Sequence, residues 1–108
     1  LKNLKKTTMQ DYNKIFSSLG VLARYKIVSN WKGKDELIHP EGIGLVKKDA
    51  YFFEPPSVIF FKRDGKFMYS YLILGGSGDK ILYNYSTPQQ DYDTLEECVR
   101  GAAMNHAI

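Results

Sequence analysis

Ser57-Val58-Ile59-Phe60-Phe61-Lys62-Arg63-Asp64-Gly65-Lys66-Phe67-Met68-Tyr69-Ser70-Tyr71-Leu72-Ile73-Leu74 is the stretch whose reading decides the fold. Two apolar and aromatic runs meet at Asp64-Gly65. Between strand-forming residues, Asp-Gly signals a two-residue type I′ hairpin turn, which needs positive φ at both central positions. That turn sets the register: Arg63 faces Lys66, Lys62 faces Phe67, Phe61 faces Met68, Phe60 faces Tyr69, Ile59 faces Ser70 and Val58 faces Tyr71. Side chains alternate across a strand, so Val58, Phe60, Phe67, Tyr69, Tyr71 and Ile73 share one face, and Ile59, Phe61, Met68, Leu72 and Leu74 share the other. Neither face is polar. An antiparallel sheet ordinarily leaves one side to water, so the second face needs a cover, whether helix, another chain or a ligand.

Working outward, Thr7 or Thr8 can cap a helix, and Thr7-x-x-Gln10 has capping-box form. Tyr12, Ile15, Phe16 and Leu19 recur at helical spacing and Gly20 is a natural stop, which predicts a helix over about 8–19. From Val21 the period changes to two, with Val21, Ala23, Tyr25, Ile27 and Trp31 on one face and Arg24, Lys26, Asn30 and Lys32 on the other. This predicts a strand with a wet, basic side. Residues 32–41 read as an exposed loop, Ile43–Val46 and Ala50–Phe53 as short strands, and Pro55-Pro56 as a break before the hairpin. Gly75-Gly76-Ser77-Gly78-Asp79 is a flexible connection to a last strand, Lys80–Ser86. Asp93-x-x-Glu96 and Thr94-x-x-Glu97 both have capping-box form and open a helix over about 94–106, with Leu95, Val99, Ala102 and Ala103 on one side. The expected fold is α+β: an antiparallel, twisted sheet of about five strands flanked by an N-terminal and a C-terminal helix. Residues 1–6 read as a basic tail and 7–108 as one domain. The sequence does not decide whether the two helices share a face.

The chain has 108 residues, 44% hydrophobic and 25% charged, with eight Tyr, six Phe and one Trp. That suits one globular domain with a single core. The lone Cys98 excludes an intramolecular disulfide and any cysteine-cluster metal site. No run approaches the roughly 18 apolar residues of a membrane span, and Leu1–Lys6 lead into polar Thr7-Thr8 rather than an apolar signal region. A cytoplasmic location is the expectation. Net charge is +3 but unevenly spread: residues 1–34 hold eight basic side chains against Asp11 alone, so residues 35–108 sum to −4. Such polarity can steer an acidic partner to the N-terminal half, or serve only as a solvated surface.

Catalytic equipment is sparse. His39 lies in a loop, His106 three residues from the end, and no His-x-x-x-His spacing supports a metal. Cys98 falls beside the apolar side of the last helix, where a buried, inert thiol is the default. The glycine run after Leu74 fails as a phosphate cradle, because a strand rather than a helix N-terminus follows it. Glu96 and Glu97 are explained by capping, and Asp91, Asp93, Glu96 and Glu97 together offer one acidic patch, where a basic partner would dock. No cofactor and no metal are implied.

Aromatics on a sheet can stack unpaired bases while basic residues hold phosphates. The order helix, strands, helix is similar to that of double-stranded-RNA-binding domains, yet their basic start of the last helix is replaced here by Asp93, Glu96 and Glu97, which argues against duplex RNA. The strand-strand-strand-helix ending is similar in topology to single-strand-binding modules of the transcription-coactivator type, without a matching motif. The leading expectation is a small non-enzymatic protein-binding module, a regulator or inhibitor acting by surface occupancy. Its partner would be another protein chain, either a different protein or a second copy. The alternative is a single-stranded nucleic-acid-binding domain. In either case the expected surface is Phe60, Phe67, Tyr69 and Tyr71, flanked by Lys62, Arg63 and Lys66 at the turn.

Overall fold

A computed structural model describes residues 7–31, 42–49, 55–76 and 82–108, excepting the side chains of residues 29–31 and Leu82. The expected tail over 1–6, the 32–41 loop with His39, the Ala50–Phe53 strand and most of the glycine connection lie outside the described residues. The elements are α1 (Met9–Ser18), a 3-10 turn (Val21–Ala23), β1 (Tyr25–Trp31), β2 (Gly42–Lys47), β3 (Val58–Arg63), β4 (Lys66–Gly75), β5 (Leu82–Tyr85), β6 (Gln89–Tyr92) and α2 (Leu95–Met104). The expected α+β architecture is present: an open antiparallel sheet in the order β1-β2-β3-β4-β5, with β6 also paired to β4 and one helix at each end of the chain.

The central hairpin has the register that its turn demands, from Arg63 opposite Lys66 to Val58 opposite Tyr71. Asp64 and Gly65 take φ of 52° and 78°, the left-handed pair of a type I′ turn. Between β4 and its far edge the pairing is divided. The first half of β4 pairs with β6, Phe67 opposite Tyr92, and the second half pairs with β5, Leu72 opposite Tyr85. Ser86 spans the break: its N–H donates to the Tyr71 carbonyl at 2.9 Å and its Oγ accepts the Tyr71 N–H at 3.0 Å. On β5 the Tyr85 N–H donates to the side-chain oxygen of Asn84 at 2.8 Å.

Thr8 is one of the two expected caps of α1, while the expected Thr7–Gln10 box and the expected strand start at Val21 are corrected. The N-cap of α1 is Thr8, whose side chain accepts the Asp11 N–H while the Asp11 carboxylate accepts the Thr8 N–H. The carboxylate outcompetes the Thr7/Gln10 alternative because negative charge is favoured at a helix N-terminus. Val21–Ala23 is a 3-10 turn rather than the start of a strand. Gly20, at φ 74°, turns the chain out of α1, and the tight turn still sends Val21 and Leu22 against the core. In contrast, Thr94 and Glu97 form the capping box of α2, one of the two expected there.

Both helices lie on one side of the sheet. A single core joins Tyr12 and Phe16 of α1, Leu95, Cys98, Val99 and Ala102 of α2, and Leu45, Val58, Phe60, Phe67 and Tyr69 of the sheet. The helices run the same way: Thr7, Asp11, Thr94 and Glu97 line a hollow at their N-terminal ends, and Leu19, Gly20 and Ala103 line one at their C-terminal ends. Gly101 lets α2 approach closely, since a Cβ there would strike the Tyr92 ring.

Placing both helices on one side would expose the other, yet Ile59, Phe61, Met68 and Ser70 on that face are buried. The ring of Tyr85 is part of their cover. From its place opposite Leu72 it reaches back across β4, and its hydroxyl donates to the Pro56 carbonyl at 2.7 Å. Burial raises the pKa of that phenol. The Ser70 hydroxyl in this second core has no hydrogen-bond partner among the described residues.

Candidate binding groove

The seven residues expected to form a binding surface are not brought together. Phe60 is fully buried, Phe67 is 8% exposed and Tyr69 2%, because all three lie under the helices. They are core, which corrects the expectation of an aromatic platform. Tyr69 meets Phe60 at 6.3 Å and stacks on Tyr92 at 6.4 Å, and its hydroxyl accepts a hydrogen bond from the Asn105 amide at 2.8 Å. Lys62 folds its ammonium over the Phe67 ring, 5.1 Å from the centroid. Lys66 pairs with Asp93, whose hydrogen bond and charge raise the Lys66 pKa. Arg63 is half-buried beside the turn. Lys66 stands five residues along β4 from Tyr71, roughly 17 Å of strand, so the turn cations do not flank that tyrosine.

Tyr71 behaves differently from its neighbours on the same face. It is 42% exposed, and Ile73, the next residue on that face, is 46% exposed. The helices cover only the hairpin end of this face and leave the other end open. There a groove forms between the sheet and the chain leaving α2. Tyr69 and Tyr71 lie on its floor, Tyr25 and Lys47 on the β1–β2 side, and Asn105 and His106 on the α2 side.

The C-terminal end of α2 explains how Asn105 and His106 are presented. The His106 N–H donates to Ala103 O at 3.1 Å and the Ala107 N–H to Ala102 O at 2.8 Å, the paired bonds of a Schellman stop. The left-handed position is normally glycine; here it is His106, at φ 60°. Gln90, at φ 38°, is a second left-handed residue lining the same groove, at the register shift of β6. With Asp64 at the turn, these are the positive-φ residues other than glycine among those described. Such backbone costs about 1 kcal/mol or more per residue and tends to collect where a chain is shaped for contact.

The groove combines polar and apolar side chains. It offers the phenols of Tyr25 and Tyr71, the Asn105 amide, the Lys47 ammonium and the His106 imidazole. Its lining includes no carboxylate and no thiol. Cys98 lies elsewhere, on the buried side of α2, and desolvation pushes its thiol up to about 12, far from a nucleophilic thiolate. Among the described residues no group of three His, Cys, Asp or Glu side chains could hold a metal ion.

Sequence reasoning reached Tyr71 but not Tyr25, Lys47 or Asn105 as its companions. A signal was present. Ile43, Leu45 and Lys47 occupy one face of β2, with Ile43 opposite Phe60 and Leu45 opposite Val58. An exposed lysine closing that apolar series marks where the cover ends. Searches against family models, characterised proteins and solved structures gave no match to this chain.

Proposed function

We propose that this protein is a small, non-enzymatic binding module whose open end of the helix-side sheet face receives a segment of another protein chain. The observation that carries this reading is the contrast along β4: Phe67 and Tyr69 are sealed under helices, whereas Tyr71 and Ile73 present apolar area to solvent on the same face. Large side chains left uncovered beside polar groups are the usual anchors of protein interfaces. A lining without a carboxylate or a thiol fits an action by occupancy, as a regulator or inhibitor. A single-strand nucleic-acid platform has less support, because three of the four aromatics it would stack bases on are core.

The test replaces Tyr71 with a photo-crosslinking phenylalanine analogue, and Lys14 on the outer side of α1 with the same group as a control. Irradiation in extract should give a discrete protein adduct from position 71 that position 14 does not give, and Ile73→Asp should abolish it. Adducts to nucleic acid, or identical products from both positions, would refute the reading.

A further inference from the structure

We infer that the segment received by this groove is acidic: a peptide stretch whose carboxylates meet Lys47 of the groove and Lys48 of the adjoining hollow while an apolar side chain seats on Tyr71, with Ile73 next to it on the same sheet face beyond the groove. This rests on the binding role proposed above and names the chemistry of the occupant.

Charge around the groove is one-sided. Its lining carries Lys47 and no acid. Next to it, across Tyr25 and Lys47, a second hollow adds Arg24 and Lys48 against one acid, Asp49. None of Arg24, Lys47 and Lys48 has an ion-pair partner among the described residues, in contrast to Lys66 with Asp93 and Arg100 with Glu96 at the other end. Part of this polarity belongs to the fold. Acids collect at the N-terminal ends of the parallel helices, as the macrodipoles favour. Arg24 lies beside the C-terminal ends of both and offsets their negative charge. Lys47 and Lys48 have no such role: Lys47 closes β2 and lines the groove, Lys48 follows it in the turn and lines the adjoining hollow, and both are exposed.

A nucleic-acid strand would also be anionic, but it needs successive exposed rings for its bases. Here Tyr71 is followed on its face by Ile73, an aliphatic side chain that suits a peptide side chain and offers no stacking plane. Exposed cations such as Lys47 and Lys48 act mainly on encounter and selectivity, with a marked dependence on salt.

A random peptide library is selected on the immobilised protein, and sequences also retained by Tyr71→Ala are discarded. Tyr71 is half-exposed, and an unchanged melting curve certifies that this variant folds. Lys47→Glu provides a second variant that leaves the apolar anchor intact. The expected result is Tyr71-dependent sequences rich in Asp and Glu around an apolar residue. Their affinity should fall on the order of tenfold in Lys47→Glu at low salt. Tyr71-dependent sequences that are neutral or basic would overturn the acidic class and leave the docking role standing. A library without Tyr71-dependent sequences would overturn both. Oligothymidylate bound at physiological salt and lost in Tyr71→Ala would overturn both in favour of nucleic acid.

Discussion

Ser70→Ala should make this protein more stable. The Ser70 hydroxyl is fully buried between Ile59, directly opposite it on β3, and the Tyr85 side of the second core, and it has no hydrogen-bond partner among the described residues. A desolvated, unpaired hydroxyl costs about 1–3 kcal/mol relative to water. Removing it leaves a void of one oxygen atom, which costs about 0.5 kcal/mol, and the weaker strand preference of alanine subtracts about 0.3 kcal/mol. Taking the middle of the first range, the net gain is about 1 kcal/mol, or about 4 °C in Tm for a domain of this size. Urea unfolding followed by circular dichroism should show a higher midpoint with an unchanged slope. Ser70→Asp serves as the control, since an unpaired charge in a closed site costs several kcal/mol. A loss of stability in Ser70→Ala would mean that the hydroxyl is satisfied, and a mild effect of Ser70→Asp would mean that water reaches this face. Either outcome would refute the second core as described.

Gly65→Val, which forces a β-branched residue to φ 78°, should cost on the order of 1–3 kcal/mol, and unchanged thermal stability would remove the turn type on which the register rests. Cys98 should resist thiol reagents in the native state at neutral pH and label only as fast as the protein opens; rapid labelling would contradict its burial. Burial raises the Cys98 thiol from 9.0 to about 12, so its contribution is full below the unfolded-state value and is lost as pH rises toward the folded one. Tyr12, raised by its own burial and then by Cys98, adds to the same loss. Equilibrium unfolding should therefore weaken above about pH 9, less steeply in Cys98→Ala, and equal slopes in the two proteins would sink this account.

The hairpin was legible because one dipeptide has few backbone options: Asp64-Gly65 dictated both the turn and each facing pair along β3 and β4. The α2 start was legible for a similar local reason, an acid three residues after a threonine. Where two local solutions compete, as with Thr7 and Thr8, composition alone did not choose, and the charge of Asp11 did. β6 was missed because Gln89-Gln90-Asp91-Tyr92 does not alternate; its pairing is imposed by β4 and carries a left-handed residue. The site was the least legible part. Tyr69 and Tyr71 are equivalent in any periodic reading of β4, and only the reach of α2, which stops over Tyr69, makes one core and the other surface. Cover by a helix distant in sequence is a tertiary fact, visible beforehand only in Lys47 at the end of an apolar series.

The division of the far edge into β5 and β6 bears on how a partner can approach. Sheets are commonly extended by an incoming strand that copies the ladder along an open edge. Here each piece is four residues long. Pro88 lies in the gap between them without an N–H to offer, and the N–H of Tyr85 is already taken by its neighbour Asn84. Along this edge an arriving chain therefore finds no continuous backbone template. A chain that met the sheet at this edge would be read by its side chains from above, and an unrelated aggregation-prone strand gains little hold here; the other edge of the sheet is β1.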